Sequence, residues 1–268
     1  MICDPANPKG FGIVDVWQET FPVRFGAIDK SDRLTLDSAL QFFQEAAICH
    51  AENLGVGRDD MAGTGQAWIL SRITVIVDRR PEYRETITVR SWPSGSEKLF
   101  AIRNYDIRDK YDIPVIRARS GWIVIDMEKR RPLRPQSVMD NLPLNEGMES
   151  IPPDAGGATG LIERSNLQKA AERKALYSDI DYYGHVNNVR YIQWIEDTID
   201  PLYLEKADQL RLDINYLNEI PGDEVIEMLS GPIEGQNEAA GNNCTALAFE
   251  GRKKETGQPA FRAELRLY

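Results

Sequence analysis

The chain has 268 residues, 42% apolar and 28% charged, enough for one large core or two cores of about 130 residues each. Its 42 acidic and 32 basic side chains give a formal net charge of −10, which argues against a nucleic-acid binder built on a positive face. No apolar run approaches the ~18 residues of a membrane span. The N-terminal stretch MICDPANPKGFGIVDVWQETF has neither a signal-peptide nor an Arg-rich transit pattern. Cys3, Cys49 and Cys244 form no CxxC pair and read as reduced thiols, so the expected location is the cytoplasm.

In chain order, a loop at residues 21–35 leads into an apolar stripe of Leu36, Ala39, Leu40, Phe43, Ala47 and Leu54. That spacing predicts a helix of about five turns, ending near Gly55 and Gly57. Strand patterns follow around Ile73, Val75 and Val77, then in ETITVRSW, KLFAIRNYDIRD and PVIRARSGWIVID. Pro93-Ser94-Gly95 and Tyr111-Asp112 read as the turns between them. Residues 131–170 are rich in Pro, Gly and Asn and read as a linker. A second loop then feeds a helix marked by Val186, Val189, Ile192, Ile195 and Ile199, with Pro201 at its end. The final strands are LRLDINYLNEI, DEVIEMLSG, NCTALAFEGRK and PAFRAELRLY.

The two halves align without a gap over their loop and helix at a constant offset of 152, Asp29 against Asp181. Ile28 then meets Ile180, Leu40 meets Ile192, and Gln41 meets Gln193. This is a duplication, with an N-terminal domain at 1–130, the linker, and a C-terminal domain at 171–268. A helix followed by antiparallel strands, twice over, is an α+β pattern in which each sheet wraps a long helix. The singly alternating strands and helices of a parallel α/β sheet are missing.

Sequence motifs narrow the chemistry. There is no GxSxG elbow, phosphate-binding P-loop or GxGxxG turn. With only His50 and His185, a zinc site of ordinary spacing is improbable and no metal is expected. His50 reads as a partly exposed histidine near the helix end. His185 lies in Asp181-Tyr182-Tyr183-Gly184-His185-Val186-Asn187-Asn188, just ahead of the second helix. The unpaired N–H groups of a helix start can hold an oxyanion, although Asp and Asn there are equally the residues of a plain helix cap.

SDIDYYGHVNNVRYIQWIED resembles the segment by which acyl-ACP thioesterases are known, Asp-x-Asn-x-His-Val-Asn-Asn followed by a Tyr-Ile-x-Trp-Ile helix. INYLNEIPGDEV is similar to the family's Tyr-x-x-Glu-Cys-Gly stretch, and WILSRITVIVDRRPEYRETITVRSWPSG to its Trp-x-x-x-Arg strand. GHVNN alone is shared by many hotdog thioesterases; the three segments in order are specific.

The resemblance implies a double hotdog, with two antiparallel sheets each wrapped around a long helix. It implies hydrolysis of the thioester joining a fatty acyl chain to acyl carrier protein, with no cofactor. Asp181, His185 and Glu219 fall on catalytic positions. Two residues depart from the pattern: Tyr183 stands where the family has Asn, and Ile220 where it has Cys. Without a thiol at Ile220, water is the expected nucleophile, activated by Glu219 alone or with His185. Asp181 is expected to orient His185 or the loop, and N–H groups after Gly184 to hold the oxyanion. The missing family amide is replaced either by Tyr183 or by Asn187 or Asn188.

In the first copy Arg33 takes the place of His185, so that copy has lost the chemistry. The resemblance then assigns it the acyl pocket, with Leu40, Phe43, Ile69 and Ile73 as candidate lining residues. Acyl carrier protein is acidic, so a chain at −10 needs a local basic patch. Candidates are Arg79, Arg80 and Arg84, and the group Lys129, Arg130, Arg131 and Arg134. The rival readings are an acyl-CoA thioesterase of the same fold, a non-catalytic acyl-binding hotdog module and a hydratase. A tandem duplication is compatible with a monomer or a homodimer.

Overall fold

The structure, a computed structural model, describes residues 6–10, 12–140, 142–153, 161–233 and 244–268. Cys3 and Asn243 lie outside the described residues. The chain divides into two compact units, Met1–Ile73 with Arg80–Gly157, and Thr74–Arg79 with Ala158–Tyr268.

The first unit contains strands β1 (Trp17–Pro22), β2 (Gln66–Val77) as far as Ile73, β3 (Thr86–Glu97), β4 (Phe100–Arg108) and β5 (Pro114–Asp126), together with the short β6 (Arg131–Leu133). They neighbour one another in the order β1-β3-β4-β5-β2, with β6 on β5. β1–β3, β3–β4, β4–β5 and β5–β6 are antiparallel. Helix α1 (Leu36–Asn53) packs against β1 and β3. Thr35 caps its start by accepting from the Ser38 amide. Its end is a Schellman closure on Gly55, at φ +71°, where the Gly55 and Val56 amides donate to the Glu52 and Ala51 carbonyls at 3.1 and 2.9 Å. The apolar stripe predicted from spacing is the buried face. Phe43 is fully buried with its ring 5.0 Å from Tyr105, burial that contributes about 1.5–3 kcal/mol. A short α2 (Arg58–Gly63) follows.

Three expectations change in this unit. Pro93-Ser94-Gly95 is not a turn between strands. β3 runs on to Glu97 through a bulge, its register against β4 shifting between Pro93 and Ser96. The reversal comes at Lys98-Leu99, where Lys98 takes φ +56°. Much of the stretch read as linker is built into this unit, carrying β6 and α3 (Gln136–Met139). Trp92 Nε1 donates to the Met148 carbonyl at 2.7 Å, and Ser150 Oγ to the Ala118 carbonyl at 2.6 Å. Finally, His50 is fully buried rather than surface-lying. Its Nε2 donates to the Val14 carbonyl at 2.9 Å and its Nδ1 faces buried Arg103 at 3.2 Å. Burial, then the Arg103 charge, pushes its pKa down to about 3.

In the second unit the final residues of β2 lead a sheet ordered β2-β8-β11-β10-β9-β7. Here β7 is Gln168–Lys174, β8 Leu210–Tyr216, β9 Val225–Pro232, β10 Thr245–Lys253 and β11 Pro259–Leu267. β8–β11, β11–β10, β10–β9 and β9–β7 are all antiparallel. The helix is not long. α4 (Asn188–Glu196) has nine residues, and Pro201 opens a second helix, α5 (Pro201–Lys206), instead of closing the first. Asp200 caps α5 by accepting from the Leu202 amide at 3.0 Å, and proline fits N1 because that position needs no N–H. α4 lays Tyr191 edge-on against Tyr216 of β8 and Phe261 of β11, ring centroids 5.3 Å apart in each case. Gly251 makes room for that ring: a Cβ there would come within 2.2 Å of Phe261.

Among the described residues, no helix is long and apolar enough to cross a membrane.

Candidate active site

The loop before α4 is closed by its own backbone. The Asp181 amide donates to the His185 carbonyl at 2.8 Å, and the Gly184 amide to the Asp181 carbonyl at 3.1 Å. Gly184 sits at φ +84°, the left-handed conformation that favours glycine. The Asp181 carboxylate accepts from the Tyr183 amide at 2.9 Å, an Asx turn. Asp181 therefore holds the loop through its side chain as well as its backbone. Two further amides dock the loop. Val186 N donates to the Ile220 carbonyl and Asn187 N to the Asp179 carbonyl, both at 2.8 Å.

That docking brings together two side chains 34 positions apart, His185 and Glu219. His185 Nε2 lies 3.3 Å from Glu219 Oε2, with the two side chains 36% and 59% exposed. An imidazole facing a carboxylate in an accessible place can move protons to and from a solvent molecule.

Asn187 is the helix cap, its Oδ1 accepting from the Val189 amide at 3.0 Å. Its Nδ2 makes no hydrogen bond with a described residue. Tyr183 is half exposed, with its ring edge-on to Tyr182 at 5.4 Å. Ile220 is fully buried, so the position holds the core while its carbonyl holds the loop.

The first unit repeats this loop bond for bond at the offset of 152. Asp29 N donates to the Arg33 carbonyl, Asp32 N to the Asp29 carbonyl, and Thr35 N to the Ala27 carbonyl. Ser31 N reaches Asp29 Oδ1 at 2.8 Å, and Asp32 takes φ +63° where the second copy has Gly184. Leu34 N donates to the Pro81 carbonyl at 2.8 Å, the bond made elsewhere between Val186 and Ile220. This sets a second offset of 139, which places Arg80 at the position of Glu219. Arg80 Nη1 bonds Asp29 Oδ2 at 2.7 Å.

Leu40, Phe43 and Ile73 are buried in the first unit and Ile69 is partly buried there. Of the basic candidates, Arg79, Arg84, Arg130, Arg131 and Arg134 are exposed, and Lys129 pairs with Asp126 at 3.6 Å. Arg80 is not a surface cation: it is buried and bound to Asp29. A shallow cleft in the second unit, lined by Leu161, Arg164, Phe249, Glu250 and Arg262 among others, includes none of the candidate site residues.

The acyl-ACP thioesterase N-terminal domain matches residues 14–142, and the acyl-ACP thioesterase C-terminal domain matches residues 162–263. The chain belongs to the acyl-ACP thioesterase family. It is 26% identical over 246 residues to the chloroplastic palmitoyl-acyl carrier protein thioesterase of Cuphea hookeriana, covering 84% of this chain and 57% of that one. The chain spans 57% to 63% of the length of the first curated relatives it matches. An acyl-ACP thioesterase from Bacteroides thetaiotaomicron shares the fold with a TM-score of 0.80 at 24% identity, over 99% of this chain and 100% of that one. The 12:0-ACP thioesterase from Umbellularia californica does so with a TM-score of 0.79 at 22% identity, over 95% and 98%. Within the family's sequence pattern, what sequence reading missed is the Arg80–Asp29 pair. Its signal is the offset of 139, hidden because α1 has 18 residues where α4 has nine, and β2 has 12 where β8 has seven.

Proposed function

We propose that this chain hydrolyses fatty acyl-acyl carrier protein, releasing a free fatty acid and the thiol of the carrier's phosphopantetheine arm. The observation that carries this reading is the 3.3 Å approach of His185 to Glu219 in a chain of this family. Glu219 takes a proton from water as the oxygen adds to the thioester carbonyl. The resulting oxyanion accepts hydrogen bonds from backbone amides at the start of α4. The Val186 and Asn187 amides are already committed to Ile220 and Asp179, which leaves those of His185 and Asn188 for this role. Glu219 hands that proton to His185 across the 3.3 Å contact, and His185 delivers it to the departing thiolate as the C–S bond breaks. Water is consumed and no covalent enzyme intermediate is needed.

Asn187 is the better candidate for the missing family amide, because its oxygen is fixed by the cap while its Nδ2 remains available. Tyr183, whose ring leans on Tyr182, serves less well. In this reading the two units form a double hotdog, the second catalytic and the first bearing the chain-length determinants Leu40, Phe43, Ile69 and Ile73. Arg130 and Arg131, both exposed, are the steering cations for the acidic carrier. Buried free Cys49 and Cys244 support a reducing compartment, the cytoplasm. The test is thiol release from acyl-acyl carrier protein and from acyl-CoA: hydrolysis favouring the carrier supports the assignment, and no hydrolysis of either ends it.

A further inference from the structure

Two phenols adjoin the segments that carry His185 and Glu219: Tyr191, buried, on the helix and Tyr216, half-buried, on the strand. Tyr216, the last residue of β8, stands three positions before Glu219 and donates to the Asn188 carbonyl at 3.1 Å, at the first residue of α4. Tyr191, from α4, points the other way. Its hydroxyl lies close to the Ile220 backbone, next to Glu219, and near Asp181. Its ring stands edge-on to Tyr216 at 5.3 Å, so the two phenols pack on each other. Each element thus sets a phenol against the backbone close to the other element's candidate catalytic residue.

The duplication supplies an independent comparison. At the offsets that superpose the two loops, the first copy has Ala39 in place of Tyr191 and Val77 in place of Tyr216. Both phenols occur in the copy with the imidazole and the carboxylate, and neither in the copy with Arg33 and Arg80. Generic packing would be served as well by the apolar residues of the first copy.

We propose that Tyr191 and Tyr216 are positioning residues that act as a reciprocal brace, fixing the separation of His185 from Glu219. This rests on the reading of those two as the catalytic pair. Burial pushes both phenols well above their ordinary range, with Glu219 and Asp181 adding to the effect at Tyr191. They therefore keep their protons throughout the working pH range.

The experiment compares Tyr191→Phe, Tyr216→Phe and the double variant in acyl-acyl carrier protein hydrolysis. Thermal unfolding and an NMR titration of His185 are measured on the same samples. Phenylalanine keeps the rings packed and removes only the hydroxyls. Each single variant is expected to lose about three- to tenfold in kcat, with KM within about twofold. The double variant is expected to lose less than the product of the singles, as coupled sites do. The His185 midpoint should shift in each. Wild-type kcat in both single variants overturns the brace, as does a fall in kcat that only tracks the folded fraction with the His185 midpoint unmoved. Glu219→Gln and His185→Ala run alongside. If these two stay active, the catalytic reading fails; if they are inactive while the phenylalanine variants are normal, only the brace fails.

Discussion

Arg80 in the first unit stands where Glu219 stands in the second, and it binds Asp29 at 2.7 Å. The duplicated loop therefore has two electrostatic outcomes. In one copy a cation neutralises the loop aspartate, and in the other a carboxylate faces an imidazole at 3.3 Å. The first arrangement offers no general base, since arginine stays protonated.

The Asp29–Arg80 pair makes acid stability dependent on one carboxylate. Burial raises the Asp29 pKa, but the Arg80 charge and hydrogen bonds from Arg80 and the Arg33 and Ser31 amides outweigh it. The net pKa is lowered from 3.8. A depressed carboxylate contributes stability above its unfolded pKa and loses it as pH falls through the folded value. Asp29→Asn should therefore be destabilised at pH 7, and the difference from wild type should shrink below about pH 4. Denaturant unfolding from pH 3 to 7 checks this; a gap that does not change with pH contradicts it.

His50 gives a second pH dependence of the same sign. Its folded pKa of about 3 lies below the ordinary 6.5, because burial and then Arg103 disfavour the cation. Its contribution is complete above pH 6.5 and declines as pH falls towards 3, by up to about 1.4 kcal/mol per pH unit. His50→Gln should flatten the stability profile over that range. An unchanged slope would show that His50 is already protonated in the folded state.

At the loop, Asn187→Asp keeps the oxygen that caps α4 and removes the Nδ2 donor. Its kcat should fall about 10²-fold with little loss of thermal stability. Tyr183→Phe should leave kcat within about twofold. The reverse pattern would transfer the donor role to the phenol.

Charge reversal at Arg130 and Arg131 should raise KM for acyl-acyl carrier protein several-fold and leave KM for acyl-CoA nearly unchanged. The effect should fade as salt shortens the Debye length below ~10 Å. Equal changes for both substrates remove these residues from carrier recognition.

The loop and the first helix were legible in the sequence because both depend on local patterns. Apolar spacing marked α1, and Gly55 marked its end. The partner of His185 came from resemblance alone, since the two residues lie 34 positions apart and no periodicity links them. Arg80 was misread because charge and neighbours in sequence cannot reveal a partner 51 positions away. His50 was misread for the same reason: its burial depends on Val14 and Arg103, which arrive from other segments. The apolar spacing of the second helix continued to Ile199, yet the helix stops at Glu196, so a buried side chain there reports packing rather than helix. Pro93-Ser94-Gly95 carried turn chemistry that the long hairpin absorbed as a bulge.

The most direct measurement is single-turnover release of thiol from acyl-acyl carrier protein by wild type, Glu219→Gln and His185→Ala, each shown to be folded. Both substitutions are expected to slow the chemical step by about 10²–10⁴. Rates within about twofold of wild type in both would contradict a water attack driven by this imidazole and carboxylate.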